Sequence, residues 1–171
     1  MSSAKGIDYT RLRDLLRAGQ WRDADKETYE VMIRAVGKKS GDWFAPQELL
    51  NFPCTDLRTI DGMWVNYSQG KFGFSVQKKI YVECGAKLDG NSPGATIWPE
   101  FSDRIGWRKG DSYQLYEDLK ANPSFSPTGE FPNFGWHLSG KDVPLSVKMR
   151  VANMRFKLCR YFLVRIKTCE L

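Results

Sequence analysis

Histidine is almost missing from this sequence: His137 is the single imidazole in 171 residues. A catalytic Ser–His or Cys–His pair would have to be built on that one residue, which lies in an irregular stretch and reads as structural or exposed. Cysteine is sparse too. Cys54, Cys84, Cys159 and Cys169 are scattered with no CxxC pair, whereas zinc needs ligands clustered on short turns, so no metal site is expected. A domain of this size does not need disulfides, and a reducing compartment is the expectation. No apolar run approaches the roughly 18 residues that span a bilayer. The opening MSSAKGIDYT has neither the apolar core of a secretion signal nor the arginine content of a transit peptide. GxSxG, GxxxxGK[ST] and post-strand GxGxxG motifs are all missing, and GKFGFS lacks both the spacing and the strand-to-helix setting of a phosphate loop. Asp56 and Asp61 sit five apart on a helix, so they diverge and cannot act as paired carboxylates. Asp61 is expected to make a local polar contact. Catalysis is not expected.

What is present is aromatic surface and one-sided charge. Six Trp, ten Phe and seven Tyr are more than an ordinary core of this size requires. The net charge of +6 is confined to the end of the chain: Pro144–Leu171 carries Lys148, Arg150, Arg155, Lys157, Arg160, Arg165 and Lys167 against Glu170 alone. Such a segment is either a solvated helix face or a docking surface for carboxylates, phosphates, anionic lipid or an acidic partner.

Periodicity predicts a mainly α chain. Tyr9, Leu12, Leu15 and Leu16 give helical spacing after Asp8 as a cap, and Gly19 breaks the run. A second helix follows with Trp21, Ala24, Thr28, Val31, Met32 and Ala35 on one side. No repeat of this hairpin occurs, which excludes a solenoid. APQELLNF predicts a short helix with Pro46 in its first turn. Leu57, Ile60, Trp64 and Tyr67 mark the clearest helix, with Thr55 as cap and SQG at 68–70 as its end. FGFSVQKKIYVECG fits both periods, reconciled by Ser75 capping a helix that runs to Cys84 after an extended entry. Residues 85–99 read as a loop, residues 100–119 as short helices around Trp107, and residues 120–144 as a long irregular loop. A basic amphipathic helix closes the chain, with Val147, Val151, Met154 and Leu158 on one stripe.

The residue content therefore points to binding rather than turnover. The favoured ligand is flat and apolar with acidic edges, held by aromatic area and by guanidinium groups. Nucleic acid is disfavoured, because the basic residues lie apart from the aromatic ones and no RRM, KH or finger motif occurs.

FPCTDLRTIDGMWVNYSQGKFGFSVQKKIY closely resembles the signature of the Genomes-Uncoupled-Four family, porphyrin-binding activators of magnesium chelatase in oxygenic phototrophs. LRDLLRAGQWRDADKETYEVMIRA, FSDRIGWRKG and TGEFP resemble its other blocks, over roughly residues 8–132. GEFP stands where the family commonly has Gly-His-Leu-Pro, and KLDGNSPGAT is an insert. The resemblance implies an all-α, single cupped helical domain whose long loops form a concave apolar face. It implies a flexible stretch over 1–7, a porphyrin-binding helical domain over 8–143, and a basic C-terminal helix over 144–171. Protoporphyrin IX and Mg-protoporphyrin IX are the implied ligands. The H subunit of magnesium chelatase is the implied partner, stimulated without catalysis by this chain.

Val65 and Phe74 match apolar ligand positions of the family, and Phe72 joins them because it alternates onto the same side. Arg155 or Arg160 would neutralise the propionates, Trp136 would close over the ring, and water is the expected axial group on magnesium. A monomer in the chloroplast stroma, peripheral to plastid membranes, is expected, with cyanobacterial cytoplasm as the alternative. A porphyrin sensor without chelatase activation, and a basic membrane-surface or nucleic-acid module, are the competing readings.

Overall fold

The computed structural model describes residues 1–133 and 145–171, with side chains for all of these except 145–155. The described residues form seven α-helices and one two-residue hairpin, so the mainly α expectation holds. Helices α1 (Thr10–Arg17) and α2 (Trp21–Ala35) make the opening hairpin around Gly19, whose positive φ of 70° suits the turn. Asp8 helps to start α1 by accepting the Thr10 amide at 2.9 Å, and the Thr10 side chain, followed by this amide, holds its carboxyl below the usual range. Helix α3 (Pro46–Leu50) carries proline in its first turn, and Glu48 reaches back to the Ala45 amide.

Helix α4 (Cys54–Tyr67) packs on α1 and α5. Leu57, Ile60, Met63 and Trp64 are buried along it, as their spacing predicts. Its start lies one residue before the expected Thr55 cap, with Pro53 at the boundary. Residues 1–7, expected to be flexible, are tied to this helix. Buried Asp56 accepts the Ala4 amide at 2.9 Å and the Tyr9 hydroxyl at 2.7 Å, together with the Ser3 hydroxyl. Three polar partners satisfy a carboxylate that would otherwise be costly to bury.

Helix α5 (Phe74–Glu83) begins at the second phenylalanine of FGF, so the extended entry shrinks to Phe72–Gly73. Helix α6 (Ile97–Arg104), the hairpin β1 (Arg108–Lys109) and β2 (Ser112–Tyr113), and a 3-10 turn over Tyr116–Asp118 follow. The hairpin was invisible to periodicity because two residues per strand carry none. Helix α7 (Leu145–Thr168) lies against α3 and α5. Among the described residues no helix is long and apolar enough to cross a membrane.

The cysteine expectation is corrected. Cys54 and Cys169 form a disulfide with Cα atoms 5.3 Å apart, while Cys84 and Cys159 are buried thiols outside it. Counting cysteines could not find this pair, because its members lie 115 residues apart and meet only when α7 docks.

Candidate functional site

The signature segment folds into a loop that is hydrogen-bonded on every side. The Ser68 hydroxyl donates to the Trp64 carbonyl at 2.7 Å and accepts the Phe72 amide at 2.8 Å. Gly73 donates to the Phe131 carbonyl at 3.0 Å, and Gly129 donates to the Lys71 carbonyl at 2.9 Å. The buried Gln77 amide then donates to the Gly129 and Pro132 carbonyls at 2.9 and 2.7 Å. Residues 68–77 and 129–132 are thereby bolted together, and TGEFP supplies half of the bolt. Glu130, also buried, accepts the Lys120 and Ala121 amides at 2.9 and 2.8 Å and the Ser126 hydroxyl.

Beneath the loop sits an aromatic stack. Trp64 lies parallel to Phe131 at 6.2 Å, and Phe72 packs edge-on against Trp21, Trp64 and Phe131. The Trp64 indole donates to Thr28 Oγ1 at 2.9 Å, which satisfies the one polar atom of a ring with no exposure. Gly73 adopts φ 145° and presses on Val65: a Cβ there would come within 2.7 Å of Val65 Cγ2.

The structure brings the sequence-derived residues to three different places. Val65 is half-buried under the loop. Phe72 and Phe74 are core residues at 0% and 1% exposure, so they do not present the solvent-accessible wall expected of them. They do not share a side either. Phe72 joins the tryptophan stack, whereas Phe74, the first residue of α5, meets Phe162 of α7 edge-on at 4.9 Å. Alternation failed there because the chain turns helical between the two. Arg160 is half-buried, with its guanidinium 5.2 Å from the Phe156 ring centroid and 5.3 Å from that of Tyr161. Its Nε is buried without a hydrogen-bond partner, and no carboxylate pairs with it among the described residues. Trp136 and the Arg155 side chain lie outside the described residues.

Sequence reasoning missed the outer flank of the loop. An open depression of about 510 Å³ is lined by Gly70, Val76, Lys79, Ile80, Glu83, Arg104 and Thr128. Val76, Lys79, Ile80 and Glu83 recur at helical spacing along α5, a signal that reads equally as core and as groove. Arg104 there is bonded to Glu83 at 2.5 Å. Asp61, whose polar contact was expected, accepts the Ser75 amide at 2.9 Å. Burial pushes its carboxyl up from the ordinary value, against the pull of the Ser75 and Phe74 amides. Among the described residues no group of three or more His, Cys, Asp or Glu is placed to hold a metal ion.

Fold and loop together define a helical domain that holds a fixed Gly-rich loop over an aromatic stack, with a cation on its last helix that no carboxylate pairs among the described residues. The family model described as GUN4-like matches residues 2–144, and the chain belongs to this family. It is similar to the uncharacterized protein ycf53 of Porphyra purpurea, 36% identical over 134 residues that cover 77% of this chain and 52% of that protein. A 66-residue stretch is 38% identical to the tetrapyrrole-binding protein, chloroplastic, of Arabidopsis thaliana, covering 37% of this chain and 24% of that one. The solved structure of GUN4 from Chlamydomonas reinhardtii superposes with a TM-score of 0.67 at 28% identity, over 95% of this chain and 91% of that one. The chain spans about half the length of the first curated relatives it matches.

Proposed function

We propose that this protein binds protoporphyrin IX and its magnesium complex, and through them stimulates magnesium chelatase by contacting the H subunit. It does so as a non-catalytic regulator in a plastid or a cyanobacterium. Membership of the GUN4-like family and the tetrapyrrole-binding relative support the ligand class. The observation that carries the reading is Arg160: a half-buried guanidinium, stacked between two aromatic rings and lacking an anionic partner among the described residues. A cation that is partly withdrawn from water and left unpaired is costly unless an anion arrives. A porphyrin edge supplies that anion as a propionate, and its plane supplies apolar area to match.

In this reading Arg160, with Arg155, grips the propionates, Val65 and the loop above it face the macrocycle, and Trp136 closes over it. Phe72 and Phe74 act from behind, Phe72 by fixing the loop and Phe74 by seating α7, which carries Arg160, through its contact with Phe162. When magnesium is in the ring, the porphyrin itself brings the metal, and water completes its coordination.

A titration tests this. Added protoporphyrin IX should quench the tryptophan emission of the purified chain saturably at micromolar concentration, and the chain should raise the rate of magnesium insertion by the chelatase. No saturable quenching removes the porphyrin reading. Quenching without stimulation leaves a porphyrin sensor and removes the activator.

A further inference from the structure

Helix α7 is fastened to the rest of the molecule at its far end. Just beyond it, Cys169 is fully buried and bonded to Cys54, the first residue of α4, which is itself half-buried. Around this bridge, three single polar bonds add to the apolar packing of Leu163 and Ile166. Arg58 Nε donates to the Cys169 carbonyl at 3.1 Å, Arg165 Nε donates to the Phe52 carbonyl at 2.7 Å, and the Lys78 ammonium donates to the Leu171 carbonyl. One turn back, Phe162 sets its edge against Phe52 at 5.9 Å and Phe74 at 4.9 Å. The bridge therefore secures the stretch of helix that seals Phe74.

A crosslink between residues this far apart removes much of the freedom of the open chain, and cutting it returns that freedom. The cut favours departure of the last turns of α7 before it favours global unfolding, because the bridge is the covalent tie between those turns and α4.

We propose that the Cys54–Cys169 bridge is a site of thiol–disulfide exchange with an external dithiol, and that its cleavage releases the end of α7 from Phe74. A thiolate of the dithiol attacks Cys54 Sγ, which belongs to the more accessible of the two residues. The Cys54–Cys169 bond breaks, and its electron pair leaves with Cys169 Sγ. Arg58 bonds the carbonyl of this same Cys169, so a cation belongs to its surroundings, and nearby cations favour the charged form. The thiolate then takes up a proton. The second thiol of the reagent attacks the mixed disulfide, freeing Cys54 as a thiol and leaving the reagent oxidised. Two electrons and two protons pass from the dithiol to the protein. This deepens the regulation of the proposed porphyrin site and rests on that reading for its ligand arm alone.

Hydrogen exchange with mass spectrometry on the full chain tests it, comparing the oxidised protein, the protein reduced by dithiothreitol without denaturant, Cys54→Ser and Cys169→Ser. After an acid quench and unfolding, dithiothreitol treatment should have raised the alkylatable cysteines from Cys84 and Cys159 to all four. Exchange over residues 156–171 should then rise about tenfold while α1 and α2 keep their protection. Both serine variants should show the same pattern without reductant. A bridge that resists native reduction overturns the proposal, as does unchanged exchange over 156–171 in the reduced protein. Loss of protection everywhere in the reduced protein overturns it too, by showing that the bridge holds the whole fold.

In the ligand arm, the reduced form should bind protoporphyrin IX about threefold or more weakly, because Arg160 and the Phe156 and Tyr161 rings against it lie in the released stretch and are in place in a smaller fraction of molecules. Equal affinity of the two forms overturns the link to the site. Binding by neither form overturns the porphyrin reading, while the exchange result still decides the cleavage.

Discussion

The carboxylate of Asp61 on α4 accepts the Ser75 amide at the start of α5, at 2.9 Å. One helix thus caps the next, and the loop between them has its two ends fixed at a single point. The N-terminus of α5 offers unsatisfied amides and a partial positive charge, both of which favour a carboxylate. Against this stands burial: Asp61 is 3% exposed. Burial wins, and the carboxyl titrates above its ordinary value of 3.8.

That balance gives a pH dependence. The folded state holds the Asp61 proton to higher pH than the unfolded state does, so between 3.8 and the raised folded value it carries more protons. Stability from this group is therefore full at low pH and falls as pH rises through that window. Asp61→Asn keeps an oxygen for the Ser75 amide and removes the charge. Relative to the parent, Asp61→Asn should gain stability as pH rises from 4 to 7 in urea unfolding. A constant difference would place the titration elsewhere.

Gly73→Ala should break the same junction. The new methyl would stand 2.7 Å from Val65 Cγ2 and 3.0 Å from Asp61 Oδ1, at φ 145°, where L residues are strained. A loss of about 3 kcal/mol is expected from strain and overpacking together. Denaturant unfolding measures it, and Gly62→Ala, whose added methyl meets nothing within 4 Å, is the control.

The helices were legible because their apolar residues repeat: Leu57, Ile60 and Trp64 are buried where their period places them. The end of α4 was legible because SQG at 68–70 stops the helical run, and the helix does end at Tyr67. Long-range partners were not legible. Nothing local tells that Gly129 will meet Lys71 or that Cys54 will meet Cys169. Phe72 and Phe74 were misjudged for a related reason. A period of two, read across a point where the chain turns helical, assigns one side to residues that part company. Whether an apolar residue faces a ligand or a neighbouring helix depends on what docks there, and for Phe74 the answer is Phe162, 88 positions further on.

Glu130 should prove costly to remove. It is 1% exposed and accepts from Lys120, Ala121 and Ser126, closing the irregular segment that precedes the bolt. Glu130→Ala leaves those donors without their partner, at about 3 kcal/mol. The expected readout is a lower melting temperature, with exchange first rising over residues 120–130.

Phe74→Ala should destabilise by about 3–5 kcal/mol, the usual result of emptying an aromatic site in a packed core. This reverses what a solvent-facing phenylalanine would give, namely weaker ligand binding at unchanged stability. Val65→Ala, at a half-buried position, should lower stability less and affinity for protoporphyrin more. Parallel thermal melts and titrations of the two variants separate the roles.

Arg160 allows the sharpest test of how an acidic ligand is held. Its guanidinium already stacks on Phe156 and Tyr161, and the orphaned Nε leaves it a donor short of a partner. If a propionate completes that set, Arg160→Gln removes a charge-assisted hydrogen bond and should weaken protoporphyrin IX binding about tenfold to a hundredfold. Arg160→Lys keeps the charge but loses the planar fork, and should fall between the two. The dimethyl ester of protoporphyrin, with the same plane and no carboxylates, should bind the parent and Arg160→Gln alike. If the ester also loses affinity in Arg160→Gln, the arginine supports the shape of the site rather than its charge. Unchanged binding of the free acid would show that the propionates lie elsewhere.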